Sequence, residues 1–189
     1  MMKCVVVYTT KYGSTGKYAE YIGNLLKCPV IASEDVDDDL LATADVVIFG
    51  SCLLGGEMCG ADQCQAWLKR YPDKQWLIYT VGLFNPNLTN FKEVLEQNFA
   101  DDLIEGVPIF HLRGAIVYKR LLLTDRIVSK GKREQIESLD AVPLGKAEHE
   151  LLARFGTTID EKDIAMVMPL IKWVQDYEKS QFDQGGHGK

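Results

Sequence analysis

The stretch Val5-Val6-Val7-Tyr8-Thr9-Thr10-Lys11-Tyr12-Gly13-Ser14-Thr15-Gly16 decides the fold, because a short apolar run passes directly into a loop of hydroxyl groups and glycine. The apolar run predicts a buried strand, and the residues from Ser14 onward predict a helix with one apolar face. The side chains on that face are Ala19, Ile22 and Leu26. The chain therefore begins with a strand, a polar loop and a helix.

The polar loop lies at the N-terminus of the predicted helix, where backbone N–H groups lack intrahelical partners and the helix dipole is positive. Such a position binds phosphate without a dedicated cationic side chain, and Thr10, Ser14 and Thr15 add hydroxyl donors. The spacing differs from the paired glycines of dinucleotide-binding motifs and from the Gly-Lys-Ser/Thr ending of a P-loop. The loop predicts a phosphate site; the alternative is a turn at Gly13 and a helix cap at Ser14 or Thr15, with nothing bound.

Length and composition predict a single domain over residues 1–189, since 47% hydrophobic content suffices for one buried core and nothing resembles a linker. A net charge of −6 at pH 7 argues against a nucleic-acid partner, which would require a basic face. No signal peptide is visible, and no apolar run approaches the roughly 20 residues that span a bilayer. We therefore expect a cytoplasmic protein.

The five cysteines predict reduced thiols, because an odd number without an export signal argues against a disulfide framework. Cys52, Cys59 and Cys64 are close in sequence, but their spacing matches no common zinc pattern, so we expect no metal. Cys4 and Cys28 are expected to be small core residues.

Strand and helix patterns alternate along the first two thirds of the chain. Strands are predicted at Pro29–Ile31, Ala44–Gly50, Gln75–Val81 and from Val107, and helices at Ala61–Tyr71, after a cap at Asn87 or Thr89, and at Asp163–Ser180, with Gln181–Lys189 as a frayed tail. This alternation predicts a three-layer α/β fold, in which helices cover both faces of a five-stranded parallel sheet of order 2-1-3-4-5. Ligands of such sheets bind beyond the carboxyl ends of the strands, where the order reverses between strands 1 and 3.

The loops after strands 3 and 4 are equipped for the same ligand as the first loop. Gly50–Glu57 carries Leu53 and Leu54 among glycines, and Thr80–Pro86 carries Phe84. Apolar side chains in these loops predict a flat ligand that covers them. The alternative is packing against neighbouring helices.

Four segments together resemble the flavodoxin-like superfamily, and nearly the whole chain is covered. The loop Tyr8–Thr15 resembles its phosphate loop, and the strand ends Ile48–Ser51 and Thr80–Leu83 resemble its ring-binding segments. Arg113–Leu121 resembles the Gly-x-Leu-x-Tyr segment of flavodoxin-domain proteins related to menaquinone-dependent protoporphyrinogen oxidase.

The resemblance implies FMN as the cofactor, with the chemistry on the flavin and no catalytic side chain. The implied cofactor-binding residues are Thr10, Lys11, Tyr12, Gly13, Ser14, Thr15, Ser51, Cys52, Leu53, Leu54, Gly55, Thr80, Val81, Gly82, Leu83, Phe84 and Asn85. Phe84 is the candidate for contact with the flavin ring. The pair Gly55-Gly56 predicts a peptide that rotates to present a carbonyl to the flavin after reduction.

A basic segment distinguishes the second half of the chain, where cations are interleaved with leucines between Lys119 and Arg133. In the resembled oxidase group this region is associated with docking to a membrane surface or to an acidic partner, which basic amphipathic segments suit. The cations concerned include Lys119, Arg120, Arg126 and Lys130. The alternative is a surface helix that buries its leucines, within a helical insertion around residues 119–162.

Three functions follow from the sequence. The first is an FMN-binding electron-transfer protein, with a partner protein or a quinone as its redox partner. The second is an FMN-dependent oxidoreductase similar to menaquinone-dependent protoporphyrinogen oxidase. The third is an interaction module that keeps the fold without the cofactor. We disfavour the third, because all three loops keep their glycines and hydroxyls. We favour the first over the second, because the acidic charge of the chain is typical of electron carriers.

Overall fold

Valines occupy the middle of the central sheet, where neighbouring strands and helices bury both faces. Val5, Val6 and Val7 are at most 1% exposed. The structure is a computed structural model and describes residues 2–86, 91–100, 102–121, 153 and 156–185. The strands are β1 (Cys4–Thr9), β2 (Val30–Ala32), β3 (Val46–Leu54), β4 (Glu57–Met58), β5 (Gln75–Gly82), β6 (Ile109–Arg113), β7 (Ala115–Val117) and β8 (Thr158–Asp160). The α-helices are α1 (Ser14–Leu26), α2 (Asp38–Thr43), α3 (Ala61–Arg70), α4 (Lys92–Asn98) and α5 (Met168–Gly185), with 3-10 turns at Ser33–Asp35, Tyr118–Arg120 and Ile164–Val167.

The parallel part of the sheet has the order β2-β1-β3-β5-β6, which confirms the predicted order. The short β4 pairs antiparallel with β3 and adds a strand that the sequence did not predict. A separate antiparallel pair joins β7 to β8.

The two faces of the sheet are covered by different helices, as the three-layer prediction requires. On one face, Val7 and Phe49 pack with Leu41 of α2 and Trp67 of α3. The buried side chains of α1 and α5 pack on the other face. They are Tyr18, Ala19, Ile22, Leu170, Ile171 and Val174.

Several element boundaries differ from the prediction because tertiary contacts override local pattern. β3 runs to Leu54, so residues expected in a loop form a hairpin with β4. α4 starts only at Lys92 with Phe91 as its N-cap, and the expected caps Asn87 and Thr89 lie outside the described residues. The expected helical insertion contains a strand at its end, β8, because this segment pairs with β7.

The last helix also differs from the prediction at both ends. Its first turn is a 3-10 turn in which Ile164 is 49% exposed, so Ile164 is not a core residue. The helix continues to Gly185 and so includes the first five residues of the frayed tail expected from Gln181. Val167, Ile171 and Val174 are buried against the sheet.

A buried tyrosine of β5 ties the sheet to the first turn of α1. Tyr79 is 0% exposed, and its hydroxyl donates a hydrogen bond to the Thr15 carbonyl oxygen at 3.1 Å. The ring crosses β3 where Gly50 has no side chain, and a Cβ there would lie 2.1 Å from Tyr79 Cζ. Gly50 therefore makes room for the side chain that fixes the start of α1.

We predict that Gly50→Ala lowers the free energy of unfolding by at least about 2 kcal/mol, because the tyrosine ring must leave its position. Tyr79→Phe, which removes only the hydrogen bond, should cost about 1 kcal/mol. Urea denaturation of both variants checks the difference. A Gly50→Ala protein as stable as the wild type would contradict this account of the packing.

Candidate functional site

The carboxyl ends of the parallel strands meet in one row. Thr9 of β1 is the Cα partner of Ser51 of β3, and Ser51 is the partner of Thr80 of β5. Thr80 is in turn the partner of His111 of β6. The structure therefore brings the three predicted segments together at the edge where ligands of such sheets bind.

The polar loop after β1 begins α1 without a side-chain cap. Gly13 is the N-cap residue in the left-handed region, with φ 89°, and it supplies no side-chain cap. The alternative of a Ser14 or Thr15 cap is therefore wrong. The Gly13 N–H donates to Thr10 Oγ1 at 3.1 Å, while Lys11 and Tyr12 are exposed.

Thr15 carries the most unusual polar atom of the loop. The residue is 0% exposed, and within the described residues its Oγ1 has no hydrogen-bond partner. An unsatisfied buried hydroxyl costs about 1–3 kcal/mol. The hydrogen bond from the Tyr79 hydroxyl to the Thr15 carbonyl oxygen fixes the orientation of the Thr15 backbone. The hydroxyl thus suits a ligand oxygen bound at this helix N-terminus.

The hydroxyl of Ser14 is directed to the chain that follows β6. Ser14 Oγ lies 3.2 Å from the Ala115 backbone nitrogen, which donates to it, and 3.4 Å from the Ala115 carbonyl oxygen. One turn later, the Tyr18 hydroxyl donates to the Arg113 carbonyl oxygen at 2.7 Å. The start of α1 is therefore held from both sides, by β5 and by the β6–β7 segment.

Three segments form the walls of the site: the loop after β1 is the first wall, the β3–β4 hairpin is the second, and the segment after β5 is the third. Gly55 and Gly56 have φ values of 64° and 98°, the conformation of a two-residue type I′ turn, which favours glycine at both positions. The Ser51 hydroxyl donates to the Cys59 carbonyl oxygen at 2.9 Å and to that of Cys52 at 3.2 Å. The hydroxyl of Ser51 thus serves the hairpin itself.

One asparagine of α4 holds this hairpin against the helix. Asn98 Oδ1 accepts a hydrogen bond from the Met58 N–H at 2.8 Å. Asn98 Nδ2 donates to the Gly56 carbonyl oxygen at 2.8 Å and to that of Val94 at 2.7 Å. Because the amide bonds to both Gly56 and Met58, it fixes the position of the turn.

The segment after β5 forms the third wall, and its residues differ in burial. Val81 is 3% exposed and packs in the core, whereas Leu83, Phe84 and Asn85 are partly buried beyond the strand. A Cβ at Gly82 would lie 3.3 Å from Leu53 Cβ, so the hairpin and this segment are in close contact. The walls that carry the predicted ring-binding residues are adjacent.

A histidine supports the third wall from β6. His111 Nδ1 lies 2.6 Å from Thr80 Oγ1, and the imidazole stacks on the Phe91 ring with centroids 3.6 Å apart and planes 12° apart. Burial lowers the pKa of His111 from 6.5 to about 4, so the imidazole is neutral near pH 7. A neutral ring can share one proton with the Thr80 hydroxyl.

The described residues show no group of three or more His, Cys, Asp or Glu side chains arranged to hold a metal ion. Across the same residues, none of the helices combines the length and apolar character needed to cross a bilayer. Lys119 and Arg120 are exposed in a 3-10 turn, whereas Arg126 and Lys130 fall outside the described residues.

A family model for the flavodoxin domain matches residues 5–142. This chain belongs to the flavodoxin domain family. No curated protein matches its sequence.

Several solved structures are similar to this flavodoxin domain. A flavodoxin from the domain Archaea is 19% identical, with 72% of this chain and 95% of that chain covered and a TM-score of 0.46. Flavodoxin 2 from Bacillus cereus is 19% identical, with coverage of 72% and 99% and a TM-score of 0.40. A mutant flavodoxin of Fusobacterium nucleatum bound to flavin mononucleotide is 15% identical, with coverage of 64% and 72% and a TM-score of 0.39.

Sequence reasoning missed three residues that shape the site of this flavodoxin domain. Asn98 and His111 act through contacts with segments more than 30 positions away, which no local pattern shows. Cys59 was noted only for its spacing, although it faces Cys52 across the hairpin. The sequence offered one signal for the position of Cys59. The pair Gly55-Gly56 fits a two-residue hairpin turn, and cysteines lie at equal distances on either side of it.

We predict that His111 makes stability depend on pH. The folded pKa of about 4 lies below the unfolded value of 6.5, so the unfolded chain binds more protons between these pH values. The free energy of unfolding should fall as the pH falls through this window, and His111→Asn should flatten the slope. Urea denaturation at several pH values and NMR titration of the imidazole check this. An imidazole that titrates near 6.5 in the folded protein would refute it.

We predict that Asn98→Ala loosens the hairpin, because it leaves the Met58 N–H and the Gly56 carbonyl without their partner. The expected loss of stability is about 1–2 kcal/mol, with faster hydrogen exchange at the Met58 amide. Glu93→Gln, at an exposed position on the same helix, is the matched control and should change neither quantity. Equal exchange in the two variants would show that Asn98 does not hold the turn.

Proposed function

We propose that this flavodoxin domain binds FMN at the row of strand ends and transfers electrons through it. The observation that carries the proposal is the buried hydroxyl of Thr15, which has no partner among the described residues and lies in the first turn of α1. Backbone N–H groups in that turn add donors for a phosphate.

The loop must yield slightly when a phosphate binds. Thr15 Oγ1 is buried in this conformation, so a ligand oxygen reaches it only when its surroundings move. Gly13 lies in the left-handed region with open space around it, and the hydrogen bond from its N–H to Thr10 is exposed. This glycine allows the loop to change conformation when a phosphate binds.

The flavin ring is proposed to lie between the β3–β4 hairpin and the segment after β5. Leu53 and Leu54 would offer an aliphatic face on one side, and Phe84 an aromatic contact on the other. Both walls are supported from behind, the hairpin by Asn98 and the second segment by His111. Bound FMN supplies one-electron or hydride chemistry, while these residues orient the ring and exclude water.

A second function, oxidation of a porphyrinogen with a quinone as acceptor, is favoured by one feature. The exposed cations Lys119 and Arg120 directly follow β7, where the chain leaves the site, and they could contact carboxylates or anionic lipid. Saturable porphyrinogen oxidation that is lost when Lys119 and Arg120 become glutamine would place this function ahead of simple electron transfer.

The primary test is a titration of the purified protein with FMN, followed by its absorbance and by quenching of flavin fluorescence. We expect stoichiometric binding, with FMN bound more tightly than riboflavin, which lacks the phosphate. A protein that takes up neither compound would leave only the third function, an interaction module without a cofactor.

We predict that Thr15→Val weakens FMN binding about 10- to 100-fold, the cost of one hydrogen bond to a charged group. Riboflavin affinity should not change, because only the phosphate contacts this hydroxyl. The stability of the apoprotein should stay equal or rise, since the substitution removes an unsatisfied buried group. Thr43→Val, at an exposed position on α2, is the control. Equal losses for FMN and riboflavin would show that Thr15 does not contact the phosphate.

A further inference from the structure

Two cysteines face each other across the β3–β4 hairpin. The ladder pairs Leu53 with Met58 and Leu54 with Glu57, so the next opposed pair is Cys52 and Cys59. The Cys59 N–H donates to the Cys52 carbonyl oxygen at 2.9 Å, which extends the ladder by this pair. Directly opposed residues of antiparallel strands point to the same face of the sheet.

The two thiols are close enough to react with each other. A side-chain hydrogen bond joins the sulfur atoms, and both residues are partly exposed. Opposed residues of antiparallel strands have Cα atoms about 4.5–5.5 Å apart, within the range that a disulfide spans without backbone movement. The turn at Gly55-Gly56 and the hydrogen bonds of Asn98 to Gly56 and Met58 keep the strands in this register.

We propose that Cys52 and Cys59 form a reversible redox site, which a small-molecule disulfide such as oxidised glutathione converts to an intramolecular disulfide. One cysteine thiolate attacks the external disulfide, whose S–S bond breaks and releases one glutathione thiol. The second cysteine thiolate then attacks the mixed disulfide, forms the intramolecular disulfide and releases the second glutathione thiol. The two protein thiols lose two electrons and two protons, and the external disulfide is reduced to two thiols.

The environment of Cys52 involves both Cys59 and the phosphate loop. Its hydrogen bond with Cys59 is the main cause of a raised pKa of the Cys52 thiol, and burial adds to it. The Lys11 backbone N–H hydrogen-bonds to Cys52, so the site adjoins the phosphate loop. The reaction itself requires no flavin, and its test is independent of FMN binding.

The experiment treats the whole protein with oxidised glutathione, alkylates the remaining thiols, and cleaves the chain at glutamate under denaturing, non-reducing conditions. Glu57 separates the two cysteines, so fragments 35–57 and 58–93 should stay joined until a reductant is added. The intact protein should lose about 2 Da, the mass of two hydrogen atoms, for this bond. Fragmentation of the joined peptides distinguishes Cys59 from Cys64.

Two variants sharpen the result. Cys59→Ser should abolish the joined fragments, whereas Cys28→Ser, which breaks the thiol pair of Cys4 and Cys28 at the other end of β1, should keep them. The wild-type peptide map decides the question even where a variant folds poorly. Stable glutathione adducts without cross-linking, thiols that stay unmodified, or a bond from Cys52 to Cys64 would each overturn the proposal.

Discussion

The parallel register of β1, β3 and β5 is the constraint on which the rest of the structure depends. Parallel strands run in one direction, so every loop that follows them emerges at the same edge of the sheet. Across that edge, Thr9 is the Cα partner of Ser51, and Ser51 is the Cα partner of Thr80. A shift of one strand by one residue would turn its side chains to the opposite face and separate the three walls of the site. Burial of both faces, with Val6 and Val47 fully enclosed, fixes that register.

The start of α1 shows how stability and binding oppose each other at this edge. Tyr79 holds the Thr15 carbonyl, and the β6–β7 segment holds Ser14, so the first turn is positioned before any ligand arrives. The same arrangement leaves the Thr15 hydroxyl without a partner among the described residues, which lowers stability by about 1–3 kcal/mol. A cost of this kind at the start of α1 is what we expect of a ligand site, and it supports the proposed phosphate contact.

The sequence was sufficient for the sheet order because buried parallel strands read as continuous apolar runs and crossover connections have one hand. It was sufficient for the position of the first loop, because glycine and hydroxyl residues between a strand and a helix are typical of a turn that exposes the helix N-terminus. It was insufficient for β4, since a two-residue strand has no periodicity. The start of the last helix was predicted at Asp163 because a regular helix was extended through the 3-10 turn Ile164–Val167, which rotates side chains differently. The support from Asn98 and His111 depends on tertiary contacts alone.

The hairpin turn contains two peptides that glycine makes flexible, and its contacts distinguish them. Rotation of the Gly56–Glu57 peptide would break the hydrogen bond between Asn98 Nδ2 and the Gly56 carbonyl oxygen. The partly buried side-chain amide of Asn98 would then make one hydrogen bond fewer, at a cost of about 1 kcal/mol. Rotation of the Gly55–Gly56 peptide changes ψ of Gly55 and φ of Gly56, which glycine accommodates over a wide range. It moves the Gly55 carbonyl and leaves the Asn98 bonds in place. A ligand next to Leu54 would therefore contact a turn in which the Gly56 carbonyl is anchored to α4. The Gly55 carbonyl of the same turn can change direction without breaking that anchor.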